Sequence, residues 1–169
     1  MNHEEYELAA NYWNVKDANS VRMDPNELIP VMEEYIWSNN TCALATGSGS
    51  FVRCTPIEYN YIDGSFWLFS EGGLKFFALE HNQNVCLSIY DKFDGFQKLK
   101  GMQISGMAVI IEPFKEEYRK IAEYKKLSLE ALMKLPHPLY LIRIKPTRID
   151  FLNSEFIPKG YSSRQFIEF

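Results

Sequence analysis

The stretch from Thr41 to Ser70, TCALATGSGSFVRCTPIEYNYIDGSFWLFS, decides the fold because strand-like segments and turns alternate along it. Three segments are rich in apolar, β-branched or aromatic residues, and they span 41–46, 51–61 and 66–70. Gly47–Ser50 separates the first two as a hairpin loop. Asp63-Gly64, which precedes the third, is typical of a two-residue type I′ hairpin. The stretch therefore predicts three antiparallel strands in a meander.

The rest of the chain adds more strands and a few helices. Further strands are predicted at 85–90, 99–112, 139–145 and 147–152, and helices at 27–37, 74–81, 115–126 and 128–135. Because the strands cluster instead of alternating with helices, the pattern favours an antiparallel barrel over a doubly wound sheet. We predict one mainly β domain over 1–169, a β-barrel of six to seven antiparallel strands with peripheral helices. Residues 1–24 form an N-terminal arm and 154–169 a C-terminal tail, neither with a clear period.

Composition limits the classes of function. The chain has 169 residues, 46% of them hydrophobic and 15% aromatic, and a net charge of -4, which argues against nucleic acid as a partner. It shows no apolar run of membrane-spanning length and no signal peptide. Its three histidines lack metal-ligand spacing, so we expect no metal. The three cysteines form no CxxC motif and suit a reducing cytoplasm.

The second predicted strand carries the first candidate site. Arg53 and Thr55 should lie on one face, and Cys54 and Pro56 on the other. A proline donates no hydrogen bond to a ladder, so this strand should lie at a sheet edge or be bulged near Pro56. Its free backbone groups could then meet a flat heteroaromatic ring. A salt-bridged surface arginine would give the same pattern.

The loop from Ser70 to Lys75, SEGGLK, is the second candidate. It follows a strand and opens a helix, where free backbone amides favour an anion. Gly72 and Gly73 allow close approach of the backbone, Ser70 adds a hydroxyl and Lys75 a positive charge. These are the groups that a phosphate monoester needs. An ordinary strand-to-helix turn with a solvated lysine remains the alternative.

A third candidate lies on the strand that begins near Leu99. Gln103 could reach the polar edge of a ring, and Lys98 or Lys100 could approach an anion, although cross-strand polar pairs on a solvent face give the same pattern. Elsewhere the chain shows neither a GxSxG motif nor a defensible pair of catalytic carboxylates. An enzyme of this sequence would therefore need a cofactor to carry its reaction.

These residues resemble a known family, the pyridoxamine 5′-phosphate oxidase-like FMN-binding split barrels. The resemblance runs from the first predicted helix to about Glu112, in the stretches CALATGSGSFVRCTPIEYNY, FWLFSEGGLKFFALEHNQNV and LKGMQISGMAVIIE. It implies an FMN-binding split barrel, usually a homodimer with FMN at the subunit interface, that acts on a small-molecule substrate. The implied cofactor-binding residues are Arg53, Cys54, Thr55, Pro56, Phe69, Ser70, Lys75 and Gln103.

The resemblance also implies roles for these positions. The strand 53–56 would run along the isoalloxazine ring, with Arg53 also near the phosphate or ribityl chain. Ser70 and Lys75 would bind the phosphate, and Phe69 would end its strand against the flavin. Gln103 would meet the flavin, in some members across the dimer, with Gly101 or Lys100 as alternative counterparts.

The sequence leaves the substrate open. Leu74-Lys75 replaces the family's Arg-Lys pair, and the tail lacks the basic and aromatic pattern that holds the vitamin phosphate. We expect an FMN-dependent oxidoreductase of undetermined substrate, with no catalytic residue assigned. The alternatives are a flavin-binding redox sensor or carrier without turnover, a haem-binding protein, and a barrel that acts as an interaction module without a cofactor.

Overall fold

The structure is a computed structural model that describes all 169 residues. Its five α-helices are α1 (His3–Ala18), α2 (Pro25–Trp37), α3 (Lys75–Leu79), α4 (Glu116–Tyr124) and α5 (Leu129–Met133). Its eight strands are β1 (Thr41–Ser48), β2 (Phe51–Glu58), β3 (Asn60–Ile62), β4 (Ser65–Ser70), β5 (Asn84–Tyr90), β6 (Lys100–Ile111), β7 (Tyr140–Asn153) and β8 (Arg164–Glu168). Two short 3₁₀ turns cover Phe96–Lys98 and Ser154–Lys159.

All strands join one antiparallel sheet in the order β2-β1-β5-β6-β7-β4-β3, and β8 adds to β7. The two edge strands of this order, β2 and β3, are separated in the chain by Tyr59 alone. The sheet must therefore curl until its edges meet. With β2 and β3 counted as halves of one bent strand, six strands surround the interior, which confirms the predicted antiparallel split barrel.

The predicted three-strand meander is wrong in one respect. The segment 51–61 is divided at Tyr59, so β2 pairs with β1 while β3 pairs with β4. Tyr59 is buried, its backbone N–H donates to Asn40 O at 2.8 Å, and its hydroxyl donates to Ile36 O at 2.6 Å. These bonds fix the bend at Tyr59. Pro56 lies inside β2, which is an edge strand as predicted.

The predicted strands on either side of Pro146 form one long strand, β7. Pro146 lies at an irregularity in the β6–β7 register, between the part of β7 that pairs with β4 and the part that pairs with β8. A missing N–H breaks no regular ladder there. Across from it, a Cβ on Gly106 would lie 2.6 Å from Lys145 O, so the close approach of the two strands requires glycine.

The barrel interior holds the main hydrophobic core. The helix α2 buries one face against it, as its spacing predicted, through Leu28, Met32, Tyr35 and Ile36. The strands contribute buried side chains that include Leu44, Phe66, Leu68, Leu87, Ile104, Ile142 and Phe151. A second cluster lies outside the barrel, where α4 and α5 pack Tyr118, Ile121 and Leu132 against Trp67 and Leu141.

The two ends of the chain contain elements that the sequence pattern did not predict. The N-terminal arm forms α1, which buries no residue and therefore leaves no apolar period in the sequence. The tail forms a 3₁₀ turn and then β8. Asp17, near the end of α1, pairs with Arg148 on β7 and Arg164 on β8, and this fixes the arm to the sheet. None of the helices is both long and apolar enough to cross a bilayer.

Candidate functional site

Two cations that are distant in sequence meet at one end of the barrel. Arg53 lies on β2 and Lys75 begins α3, which packs against β1 and β2 through an edge-to-face contact of Phe51 with Phe77. Lys75 is 6% exposed, and its pKa is lowered first by burial and then by the charge of Arg53. Neither cation forms an ion pair with a carboxylate, so two positive charges stand together without an internal counterion.

The loop before α3 directs its donors toward one point. The Lys75 ammonium donates to Gly72 O, and the Ser70 hydroxyl lies 3.2 Å from the same oxygen. Gly72 N–H in turn donates to Ser70 Oγ at 3.1 Å. Gly72 and Gly73 have φ values of 126° and 100°, a conformation that favours glycine. The loop thus places a hydroxyl and an ammonium within reach of a common acceptor.

Thr46 is a neighbour of Arg53 that the sequence analysis missed. It lies directly opposite Arg53 in the β1–β2 register and is 3% exposed, and its Oγ1 has no hydrogen-bond partner. A buried hydroxyl without a partner is unfavourable unless a further group satisfies it. The hairpin register contained the signal, because a two-residue turn at Gly49-Ser50 places Thr46 across from Arg53.

These groups fit an anion. Arg53 and Lys75 offer charged donors, Ser70 offers a hydroxyl, and Thr46 offers one that is still unsatisfied. Phosphate oxygens accept several such charge-assisted bonds at once. Since α3 has only five residues, the side chains carry this site more than the helix start that the sequence suggested.

The other predicted residues of β2 lie as expected for a strand. Thr55 shares the face of Arg53, opposite the buried Leu44, whereas Cys54 and Pro56 lie on the outer face opposite Ala45 and Ala43. The outer face continues onto β5 through Cys86 and Ser88. Small side chains thus line this part of the outer surface of β2, β1 and β5.

The structure does not bring Phe69 and Gln103 to this group. The Phe69 ring packs edge-to-face on Tyr118 at 5.6 Å, on the side of β4 away from Ser70, so only its backbone is near the loop. Gln103 lies exposed on the outer face of β6, three strands from β2. Gly101 shares its face, whereas the Lys100 ammonium lies 5.5 Å from the ring of Tyr35.

No side chains in the chain are arranged as a metal site. No group of three His, Cys, Asp or Glu is placed to hold an ion. All three cysteines are free: Cys42 is buried, Cys86 half-buried and Cys54 exposed. Burial raises the pKa of the Cys42 thiol to about 12, which makes it unreactive.

The fold defines a class of protein, the split barrels, and the cation group lies at one end of this barrel. A family model described as pyridoxamine 5′-phosphate oxidase matches residues 28–153. The chain belongs to this family. The match runs from α2 to the end of β7 and thus includes Arg53, Ser70 and Lys75.

Solved structures share the fold at low sequence identity. The haem storage protein HutZ from Vibrio cholerae is 17% identical with a TM-score of 0.56, over 69% of this chain and 88% of its own. An FAD-binding protein from Mesorhizobium loti is 18% identical with a TM-score of 0.59, over 72% and 89%. ChuZ from Campylobacter jejuni is 14% identical with a TM-score of 0.64, over 87% and 61%. A search of curated proteins gave no significant match.

Proposed function

We propose that this protein binds FMN and acts as an FMN-dependent oxidoreductase on a small-molecule substrate. The observation that carries the proposal is the meeting of Arg53 and Lys75, without a carboxylate, beside the Ser70 hydroxyl. Membership of the pyridoxamine 5′-phosphate oxidase family supports it. The fold likeness to an FAD-binding protein is compatible with a flavin but does not distinguish FMN from FAD.

The proposal assigns separate groups of the protein to the phosphate and to the ring of FMN. Arg53, Ser70 and Lys75 hold the phosphate, and the Thr46 hydroxyl takes the hydrogen bond that it otherwise lacks. The backbone of Cys54, Thr55 and Pro56 on the edge strand lies along the ring. A bound flavin supplies the redox chemistry, for which the chain offers no side-chain group. Phe69 contributes at most its backbone.

A homodimer with FMN at its interface is part of the proposal. Its support is the resemblance to the family, together with the small outward side chains of β2, β1 and β5, which a second copy could cover. Gln103 belongs here as a prediction, because within one chain it lies three strands from β2 and needs a partner subunit to reach a flavin. Sedimentation with and without FMN tests the assembly. We also propose a cytoplasmic location, which the three free cysteines favour.

The test of FMN binding compares three flavins. Purified protein stripped of ligand is titrated with FMN, riboflavin and FAD while flavin fluorescence is followed. Because riboflavin lacks the phosphate, we expect FMN to bind about 100-fold more tightly, the equivalent of about 2.7 kcal/mol. Equal affinity for FMN and riboflavin would contradict the assigned cation site, and binding of none of the three would contradict the proposal as a whole.

Turnover is tested separately from binding. The FMN-loaded protein is mixed with NADH or NADPH, and the loss of oxidised flavin absorbance is followed before a small electron acceptor is added. Reduction followed by reoxidation supports an oxidoreductase. A flavin that neither donor reduces within minutes favours the alternative of a sensor or carrier without turnover.

Haem is the second candidate ligand, because one structure of the same fold is a haem storage protein. The positions of the histidines argue against it, because all three are exposed on the surface: His3 on α1, His81 just after α3 and His137 before β7. A haem titration that shifts the Soret band at stoichiometric protein, while FMN fails to bind, would favour haem.

A further inference from the structure

A group of aromatic side chains lies beside the two cations, toward the β1–β2 hairpin. Phe51 is the first residue of β2 and Phe77 lies on α3, and their ring centroids are 5.3 Å apart with planes at 74°. The ring of His81 lies 5.8 Å from that of Phe77. Phe77 is 56% exposed, so this group, which we call the aromatic ledge, borders solvent.

Arg53 lies between the aromatic ledge and the segment that we propose to meet the flavin ring. Phe51 and Arg53 are two residues apart on β2, so their side chains share one face at a spacing of about 7 Å. The segment 54–56 continues from Arg53 in the other direction. α3 repeats this order, because Lys75 is the neighbour of Arg53 and Phe77 is the neighbour of Phe51. The two cations therefore stand between a place for one ring and a place for another.

The ring of Phe77 is available for stacking. Phe51 contacts it edge-to-face and His81 is tilted to it by 46°, so no ring of the chain is stacked parallel on it. No lysine or arginine lies over it either, in contrast to the ring of Trp13, which Lys16 and Arg164 both approach. Every nucleobase has a π-face that stacks on such a side chain. An exposed phenylalanine beside two cations therefore suits a base that is linked to a phosphate.

His81 and Glu80 give the aromatic ledge a polar edge. The Nδ1 atom of His81 lies 3.2 Å from Phe77 O, which is the distance of a hydrogen bond. With Nδ1 as the donor, the neutral ring has Nε2 as an acceptor. A carboxylate oxygen of Glu80 lies 4.0 Å from the same Nδ1. The edge can therefore accept hydrogen bonds from an amino group on a stacked ring.

We propose that the flavin site extends past the phosphate and also accepts a dinucleotide, FAD, whose adenine stacks on Phe77. The pyrophosphate meets Arg53 and Lys75, and the adenine amino group meets the edge formed by His81 and Glu80. FMN occupies the same site without using the aromatic ledge. The inference rests on the proposed flavin binding and adds to it a surface for a base on the far side of Arg53.

Two effects on the affinity for FAD oppose each other. The phosphate monoester of FMN carries about two negative charges near pH 7, whereas FAD spreads a similar charge over two phosphates. The phosphate next to riboflavin in FAD therefore pairs less strongly with Arg53 and Lys75. Stacking of the adenine on Phe77 offsets this loss. We expect the affinities for FAD and FMN to lie within about threefold of each other.

Calorimetric titration of the full-length, ligand-free protein with FMN and FAD tests the aromatic ledge. Phe77→Leu keeps an apolar side chain against Phe51 and removes the stacking ring. FAD affinity should then fall about tenfold, while FMN affinity should change less than about threefold. Phe77→Tyr keeps a ring and should retain FAD affinity. Phe169→Leu, which removes an exposed phenylalanine in the C-terminal tail, is the matched control and should change neither affinity.

Three results with the flavins would overturn the inference. FAD affinity could be unchanged in Phe77→Leu, which would mean that no base stacks there. FAD and FMN could be weakened equally, which would mean that Phe77 only supports the fold around Lys75. The wild-type protein could bind FMN and not FAD, which would mean that the site ends at the phosphate. Circular dichroism and urea denaturation confirm that each variant is folded.

ADP separates this inference from the proposed flavin binding, because it carries an adenine and two phosphates without a flavin ring. We expect Phe77→Leu to weaken ADP binding about tenfold and to leave the binding of inorganic pyrophosphate unchanged. ADP decides the case in which neither flavin binds. If ADP then shows the expected response, the flavin proposal is wrong and the aromatic ledge remains a surface for a base. If ADP then fails to bind, or binds equally well to Phe77→Leu, both proposals are wrong.

Discussion

The protein holds two groups of cations, and they differ in their counterions. On β7 and β8, Arg148 and Arg164 pair with Asp150 at 2.7 Å, and Arg164 also pairs with Asp17 at 2.6 Å. At the other group, Arg53 and Lys75 stand beside each other with no carboxylate. The first group is complete within the fold and serves to join α1, β7 and β8. The second has no counterion within the fold, and we propose that a phosphate group supplies it.

The difference follows from the cost of burying charge. A cation taken out of water loses hydration, and a hydrogen-bonded carboxylate restores much of that loss. For Lys75 no carboxylate restores it, only the Gly72 carbonyl accepts from its ammonium, and burial together with Arg53 lowers its pKa. Strongly perturbed cations without internal partners are concentrated at functional sites. The comparison therefore predicts that removing a charge affects ligand binding at one group and protein stability at the other.

The largest effect is expected at Lys75. Lys75→Met removes the buried ammonium and keeps most of the side-chain volume, so FMN affinity should fall about 100-fold while riboflavin affinity changes little. The unfolding free energy of the ligand-free variant should be unchanged or slightly higher, because an unpaired buried charge is removed. Flavin fluorescence titration and urea denaturation measure the two quantities.

Lys126→Gln is the matched control for this variant. It removes one exposed lysine outside both cation groups and keeps the net charge change identical. If Lys75→Met bound FMN as tightly as Lys126→Gln does, Lys75 would not be a phosphate ligand. The absence of a carboxylate at the Arg53–Lys75 group would then say nothing about ligand binding.

Asp150→Asn should give the opposite result. The Asp150 side chain is 12% exposed and accepts hydrogen bonds from both Arg148 and Arg164. Its neutralisation therefore removes a counterion from two guanidinium groups. We expect the free energy of unfolding to fall by about 2 kcal/mol and FMN affinity to stay the same. Urea denaturation of the ligand-free protein provides the measurement. A variant of full stability that binds FMN poorly would reverse the roles of the two groups.

The pH dependence of FMN binding should reveal the lowered pKa of Lys75. As pH rises through that pKa, which lies below the ordinary lysine value, the ammonium loses its proton and FMN affinity should fall, by about tenfold for each unit above it. Below about pH 6 the affinity should fall again, since the phosphate monoester gains a proton.

Riboflavin is the control for this profile, because it shares the isoalloxazine titration and lacks the phosphate. In the ligand-free protein, a rise in pH through the pKa of Lys75 changes stability in the direction opposite to its effect on FMN affinity. The charged form of Lys75 is disfavoured by folding, so stability should rise as pH passes through its folded pKa. A riboflavin profile that matches the FMN profile would show that Lys75 does not meet the phosphate.

The sequence predicted more of the barrel than of the two ends of the chain. Hairpins and alternation are local signals, so β1, β4, β5 and β6 were placed almost to the residue. Helix α1 has no buried face, so its apolar residues show no helical period in the sequence. Strand β8 gains its strand conformation from pairing with β7. Such pairing depends on residues far apart in the chain.

The residues of the candidate site were likewise predicted only where their sequence signal is local. Arg53, Ser70 and Lys75 follow from a strand and a loop that each have a local sequence signal, and the structure brings the strand and the loop together. Alternation along β4 turns the Phe69 side chain toward Tyr118 of α4, and its contact with a flavin stays a prediction. To find Thr46, the residues of β1 must be paired one by one with those of β2 across the hairpin. The pairing of Asp150 with Arg164 depends on how β7 and β8 pair, which the sequence pattern did not predict.

The smallest effect is expected where a cation is paired but exposed. Lys134 and Glu130 form an ion pair one helical turn apart, and both side chains are more than 70% exposed. Lys134→Gln should change the free energy of unfolding by no more than about 0.5 kcal/mol, because water screens the charges and solvates either partner alone. Urea denaturation beside Asp150→Asn isolates the contribution of burial, since both variants break a close ion pair. If Lys134→Gln lowered the free energy of unfolding as much as Asp150→Asn does, ion pairing alone would determine stability. The burial of the Asp150 group would then make no additional contribution.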